Sequence, residues 1–261
     1  MTSPASISLS TSSVYPESTT AGFEAASRLG YDGVEVMVGI DDTSADIEAI
    51  EALSRRHRMP VVSVHSPCLL ITQRVWGTEH WGKLRKSAHM AKAVGAGVVV
   101  VHPPFRWQRD YARRFVEGIA ELEAETGLIY AVENMYPWRT GKRRFQAYSP
   151  GWDPVDEDYA HMTLDLSHCA TAGEDSQQML ARMGDRLAHV HMTDGSGSGR
   201  DEHLIPGRGN QNAGAVFERL DERGFQGHVV VEINTRKSAD RESRDAELLE
   251  ALAFCRLHSG T

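Results

Sequence analysis

Residues 187–209 read LAHVHMTDGSGSGRDEHLIPGRG, a short apolar run that opens into a Gly/Ser-rich loop. His191, Asp194, Asp201 and His203 place four potential metal donors within 13 residues. Imidazole and carboxylate are common ligands of zinc, manganese and related ions, and Asp201 and His203 set one of each two positions apart. A loop so rich in Gly and Ser is not expected to fix donors unaided, so a bound cation is expected to hold it. Taken alone, the stretch reads better as a solvated polar turn. The rest of the chain changes that balance.

Six consecutive apolar runs end in the same residue types. VVSVHSP ends in His65, VVVVHPP in His102, and YAVENM carries Glu133. TLDLSH carries Asp165 and then His168, HVHM carries His191, and VVVEIN carries Glu232. With Asp201 and His203, nine donors are expected to converge. Singly, a histidine closing a strand is usually a satisfied core residue, and a carboxylate there often caps the next helix. Glu and Asp inside runs such as VVVEI are costly to bury unpaired, and a shared cation offsets that cost for several at once. We therefore expect a divalent metal ion, zinc or manganese, with one to three per chain.

Strand alternation adds detail. Ser63, Ala131 and Thr163 precede His65, Glu133 and Asp165 by two, so they are expected beneath the donor layer on the same face. His189 is expected one layer below His191, as a hydrogen-bonding support. Glu35 ends the second run, as a contact to a substrate hydroxyl or, more plainly, a structural acceptor. His57, His80, His89 and His258 fall in helical segments and are read as packing or surface residues. His161 and His228 precede strands and are excluded. Cys68 and Cys169 fall near the strand ends without an evident base, which argues against nucleophilic roles.

The elements that must position these groups alternate. β-Branched runs occur at 7–9, 34–36, 61–64, 98–101, 129–132, 163–166, 188–191 and 229–233. Helical periodicity follows at 18–29, 44–56, 79–94, 110–125, 176–183, 213–222 and 244–257. Gly30, Gly95, Gly127 and Gly224 follow helices where a cap is needed. Eight strand–helix units predict a closed (β/α)8 barrel, an α/β fold whose active groups sit at the C-terminal strand ends. The fifth helix is expected to be replaced or shortened, because 135–159 is rich in Pro, Gly, Trp and Arg. An open doubly wound sheet is the other option, but no GxGxxG follows the first strand.

The 261 residues suit one barrel domain over 1–261 with an ample core. No apolar run approaches a membrane span, and MTSPASISLSTSS lacks the basic start and apolar middle of a secretory signal. Three cysteines without a CxxC point to a reducing cytoplasm. A net charge of −8 disfavours generic coating of nucleic acid.

These residues resemble the xylose isomerase-like TIM-barrel superfamily, which holds sugar isomerases and epimerases together with endonuclease IV. The resemblance runs from GYDGVEV to VVVEIN, and HSPCLL, VVHPP, VEN, LDLSHCATAG and HVHMTD…DEHLIPGRG are its most specific pieces. It implies two ligand sets. The sugar epimerases hold one divalent metal on Glu, Asp, His and Glu, here Glu133, Asp165, His191 and Glu232, and the two glutamates also shuttle a proton beside a carbonyl. Endonuclease IV holds three zinc ions on nine donors, all filled here: His65, His102, Glu133, Asp165, His168, His191, Asp201, His203 and Glu232. Cys68 stands where endonuclease IV-like chains carry Tyr, and 135–159 is longer than the loop expected there.

Two activities follow. The first is isomerisation or epimerisation of a sugar or sugar phosphate, with Glu133 and Glu232 as acid and base around a metal-stabilised enediolate. The second is zinc-dependent cleavage of DNA at abasic sites, the only reading that makes DNA a partner. A third, binding without turnover, carries less weight. The loops after the strands are basic, with Arg74, Arg106, Arg109, Arg139, Lys142, Arg143, Arg144, Arg200, Arg208, Arg236 and Lys237. Such a rim suits phosphate, although for any one residue a solvated charge is the plainer account. Trp107, Trp138, Phe145, Tyr148 and Trp152 interleave with it and could wall a sugar pocket or stack on bases. Arg208, Trp107, Trp138 and Arg139 are the expected substrate contacts. The aromatic fifth loop looks more like a lid than a duplex groove, which favours the sugar enzyme. A homo-oligomer is compatible with the sequence, which locates no interface.

Overall fold

Eight parallel strands close on themselves in the computed structural model, which describes residues 6–140 and 143–259. In chain order the elements are β1 (Ile7–Ser10), α1 (Thr19–Leu29), β2 (Gly33–Met37), α2 (Asp42–Ala45), α3 (Ile47–His57), β3 (Val61–His65), α4 (His80–Val94) and β4 (Val98–Val101). Then come α5 (Arg109–Arg113), α6 (Phe115–Thr126), β5 (Ile129–Glu133), and the strands β6 (Trp138–Thr140) and β7 (Arg143–Phe145). They are followed by β8 (Met162–Asp165), α7 (Leu166–Ala172), α8 (Ser176–Met183), β9 (Leu187–Met192), α9 (Ala213–Glu222), β10 (His228–Val231) and α10 (Arg241–His258). The barrel order is β1-β10-β9-β8-β5-β4-β3-β2. All eight expected strands are present, and the four expected cap glycines have positive φ.

Local chemistry explains the departures. Segment 44–56 breaks at Asp46, whose side chain accepts from Ala49 N and so starts α3. Segment 110–125 breaks at Arg114. The run 163–166 stops at Asp165, because its carboxylate accepts from His168 N at 2.7 Å and caps α7. That helix is absent from the sequence reading, and it draws His168 into its first turn.

Among the described residues the fifth unit has no barrel helix. In its place, β6 and β7 pair antiparallel and a 3-10 turn spans Pro154–Asp156. The segment is zipped to the loop after β4, with Arg106 N donating to Ala147 O at 2.9 Å and Ser149 N to Pro104 O at 2.8 Å. Lys142, expected in the basic rim, lies outside the described residues.

The core has two layers. Alternate residues such as Val99 and Val101 pack against the helices, whereas Val98, Val100 and Ala131 meet inside the barrel. Ser63, Ala131 and Thr163 are fully buried there, as expected of small residues beneath the donors. A Cβ at Gly33 would come within 2.9 Å of Pro60 O and Val62 Cγ1, so β2 approaches β3 as closely as only glycine permits. Among the described residues no helix is long and apolar enough to cross a membrane.

Candidate metal centre

The donors converge at the C-terminal strand ends. Glu133 ends β5, and four imidazoles surround its carboxylate. Oε2 lies 2.9 Å from His102 Nε2 and 3.3 Å from His65 Nε2, and Oε1 lies 3.1 Å from His191 Nδ1 and 3.2 Å from His168 Nδ1. His191 Nδ1 also faces Glu232 Oε2 at 3.0 Å and Asp165 Oδ2 at 3.6 Å. On the loop side, Asp201 Oδ1 is 3.1 Å from His203 Nε2 and Oδ2 is 3.5 Å from His168 Nε2. All nine expected donors are therefore in one network. Among the described residues, ligand atoms fall within 4.8 Å of one another in four sets: Glu133–Asp165–His191, His65–His102–Glu133, Asp165–His168–His203 and, deeper in the barrel, Glu35–His189–His191.

Two observations fit a cation. Asp165 Oδ2 is buried and has no hydrogen-bond donor, a costly state for a carboxylate oxygen beside two other ligand groups. Three imidazoles also have one nitrogen against a backbone carbonyl. His65 Nδ1 lies 3.1 Å from Ser66 O, His168 Nδ1 lies 2.8 Å from Asn134 O, and His203 Nδ1 lies 3.0 Å from Glu232 O. A carbonyl only accepts, so in the neutral ring the proton stays on Nδ1 and Nε2 is left bare.

Without a cation, ring protons supply the balancing charge. Burial opposes protonation of His191, but Glu232, Glu35 and Glu133 hold its pKa well above the usual value. Burial likewise opposes protonation of His203, but Asp201 and Asp165 lift it to about 10. Burial pushes the Glu133 carboxyl up, yet His191, His102 and His168 bring it well below the usual range. Glu232 is buried too, but His191 and His203 lower it to about 2. The two glutamates differ in access, since Glu133 is 1% exposed and Glu232 9%. Glu232 is additionally held by Ser12 Oγ, which donates to Oε1 at 2.9 Å.

The loop after β9 corrects one expectation: protein contacts position it. Asp194 pairs with Leu204 through both backbone hydrogen bonds. Its carboxylate accepts from Gly195 N, Gln211 N and Gly207 N at 2.8, 3.1 and 3.0 Å, so Asp194 organises the loop and is not one of the clustered donors. A Cβ at Gly209 would lie 2.2 Å from Asp194 Oδ1, which is why glycine ends PGRG. Ser167 Oγ bonds Asp201 Oδ1 at 3.0 Å and accepts from His203 N at 3.0 Å, placing both loop donors.

Several supporting residues escaped the sequence reading. Ser12 and Ser167 carry no pattern that marks them. Asn134 could have been found, because it follows Glu133 in VEN. Its Nδ2 donates to Asp165 O at 3.0 Å and its Oδ1 accepts from Asp165 N at 2.7 Å.

Two of the excluded histidines have local partners. His161 pairs with Glu123 at 2.7 Å, and His80 stacks on Tyr111 at 4.6 Å. Burial pushes the Cys68 and Cys169 thiols up to about 11 and about 12, which leaves them poor nucleophiles.

Tyr136 packs near the cluster, and a separate group of rings gathers around Phe105. Tyr136 lies 5.0 Å from His168, and Tyr148 and Trp107 lie 5.3 and 4.6 Å from Phe105. Trp138 is 5.9 Å from Trp107, whose outer face is exposed. Much of the basic rim is occupied. Arg139 and Arg144 donate to Thr171 O and Ala172 O at the end of α7, and Arg106 donates to Gln146 O. Arg236 lies over the Tyr15 ring. Arg208, expected at the substrate, is engaged by exposed Glu250 at 2.8 and 2.6 Å, so its placement is that of a surface ion pair.

A model of the xylose isomerase-like TIM barrel matches residues 23–258. An uncharacterized protein of Mycobacterium tuberculosis is 49% identical over 271 residues, covering 97% of each chain. Fructoselysine 3-epimerase of Escherichia coli O157:H7 is 23% identical over 237 residues, covering 82% of this chain and 84% of the epimerase. The crystal structure of 3-keto-D-glucoside 4-epimerase from E. coli matches with a TM-score of 0.68 at 19% identity, covering 97% and 99% of the two chains. At that identity the likeness speaks for the fold alone.

Proposed function

The chain belongs to the xylose isomerase-like TIM-barrel family, and on that premise we propose that it is a divalent-metal-dependent isomerase or epimerase of a sugar. The observation that carries this reading is the convergence of Glu133, Asp165, His191 and Glu232 around the unpartnered Asp165 Oδ2. Those four residues would hold the cation. Bound there, it would polarise a carbonyl and the neighbouring hydroxyl and stabilise the enediolate charge that develops on them. Glu232, the more accessible glutamate, removes the proton from the carbon beside the carbonyl, and Glu133, resupplied from the His168 ring 3.2 Å away, returns one. Ser12 keeps the Glu232 carboxylate in place for that transfer.

Trp107 and Trp138 wall the substrate on the side of the fifth loop, and Arg139 supports that wall from the end of α7. Arg139 and Arg144 are turned to backbone carbonyls at the end of α7, which favours an uncharged sugar or sugar conjugate on that side of the site. The name of the similar fructoselysine 3-epimerase supports a keto-sugar carrying a substituent. The test is to incubate manganese- or cobalt-loaded protein with free and substituted keto-sugars in D2O. Deuterium beside the carbonyl together with a new epimer is expected. No exchange across the panel would reject the reading.

One observation favours a second reading. The sets His65–His102–Glu133 and Asp165–His168–His203 flank the central one, as a zinc phosphodiesterase of the endonuclease IV type would require. About three zinc ions per purified chain and incision of an abasic-site duplex would replace the first reading with this one.

A further inference from the structure

The carboxylates around His191 Nδ1 account for one side of its ring. On the other side, Glu35 Oε1 lies 3.1 Å from Nε2. The second oxygen of Glu35 accepts from Ser63 Oγ at 2.7 Å and lies 2.9 Å from His189 Nε2. None of the four residues has exposed surface. The topology makes this meeting unavoidable. Glu35 and Ser63 are register partners on β2 and β3, while His189 and His191 point the same way from β9 across the barrel. With both oxygens engaged and no exposure, Glu35 is not placed to reach a substrate hydroxyl.

We propose that Glu35 is a positioning residue that selects Nδ1 of His191 as the nitrogen offered to the cation and fixes the plane of that ring. The inference rests on reading the donor cluster as a cation site. A neutral imidazole carries one N–H, and a carboxylate at Nε2 keeps that proton there. Nδ1 is then bare where it faces Glu133, Glu232 and Asp165. His65 and His203 have neutral carbonyls in the equivalent position. His191 has a full negative charge behind it, which makes its ring the more basic ligand. Ser63 Oγ donates to the second oxygen and His189 Nε2 lies beside it at 2.9 Å, which holds the Glu35 carboxylate facing Nε2.

The test is titration of chelator-treated protein with Co2+, reading both affinity and the visible ligand-field spectrum, with circular dichroism as the check on folding. Glu35→Gln is expected to weaken Co2+ binding by about 10- to 100-fold and to change the spectrum, because either amide orientation removes the charge behind Nε2 and an N–H turned toward it drives the ring proton onto Nδ1. Ser63→Ala keeps the carboxylate but frees one oxygen, and a loss of about threefold is expected. Folded Glu35→Gln protein with wild-type affinity and spectrum would overturn the inference. If Glu35→Gln does not fold, Ser63→Ala decides, and unchanged affinity and spectrum there would overturn it equally. Wild-type protein that binds no Co2+ would instead reject the cation site and, with it, this inference.

Discussion

Ser12 Oγ donates to Glu232 Oε1 at 2.9 Å, across 220 positions of sequence. The other oxygen of Glu232 is left facing His191 Nδ1 at 3.0 Å. If Glu232 moves the proton, Glu232→Gln should cut kcat by about 10^2- to 10^4-fold while the protein stays folded. Ser12→Ala should cost only one hydrogen bond, about 1 kcal/mol or roughly fivefold in kcat, with KM little changed. Steady-state kinetics on a confirmed substrate checks both. Full activity in Glu232→Gln would remove its catalytic role.

The loop that presents Asp201 and His203 depends on Asp194. Asp194→Ala strands three backbone N–H groups and should destabilise the fold by about 3 kcal/mol. Gly209→Ala should act in the same direction, because the added methyl would collide with the same carboxylate. Urea denaturation of the metal-free variants measures this. An unchanged midpoint in both would show that the loop is held by other contacts.

Cation binding should release protons, since His203 holds one up to about 10 and His191 is also raised, against burial that opposes both. Affinity for Mn2+ should therefore rise with pH, and calorimetry in buffers of different ionisation enthalpy should count at least one proton released. Affinity independent of pH between 6 and 9 would contradict the charge-balance account.

Stability of the chelator-treated protein follows the same groups with a definite sign. The raised pKa of His203 contributes stability fully below its unfolded value of about 6.5, lost as pH rises through about 10. The depressed pKa of Glu232 contributes above its unfolded value of about 4.3, lost as pH falls through about 2. The melting temperature should therefore peak between about 4.3 and 6.5. A flat profile from 5 to 10 would argue that these pairs do not govern stability.

Trp107 packs one face on Phe105, with the planes 2° apart, and leaves the other open. Trp107→Ala should raise KM several-fold, leave kcat nearly unchanged and barely move the melting temperature. A fall in kcat with constant KM would mean that the ring acts on the chemistry and not on binding.

Much of this was legible in the chain. Period-two runs ending in His65, His102, Glu133, Asp165, His191 and Glu232 specified both the barrel strands and the donor layer, because alternation forces every second side chain inward. Helix α7 escaped because seven residues, LSHCATA, are too few to display a helical period. The partner of Arg208 was not legible, because a positive charge after a strand says nothing about the acceptor that reaches it, here Glu250.

What the sequence determined by itself was the group of imidazoles and carboxylates and the end of the barrel where they gather, since both follow from residue type and local periodicity. Only the tertiary structure decided how each donor is aimed. Glu35 meets His191 across 156 positions, Ser12 meets Glu232 across 220, and Asn134 ties itself to Asp165 on the neighbouring strand. Such pairings arise from closing the sheet, which sets register between strands that no local pattern links. The aim of an imidazole nitrogen depends on that register, because one hydrogen bond behind the ring decides which nitrogen carries the proton.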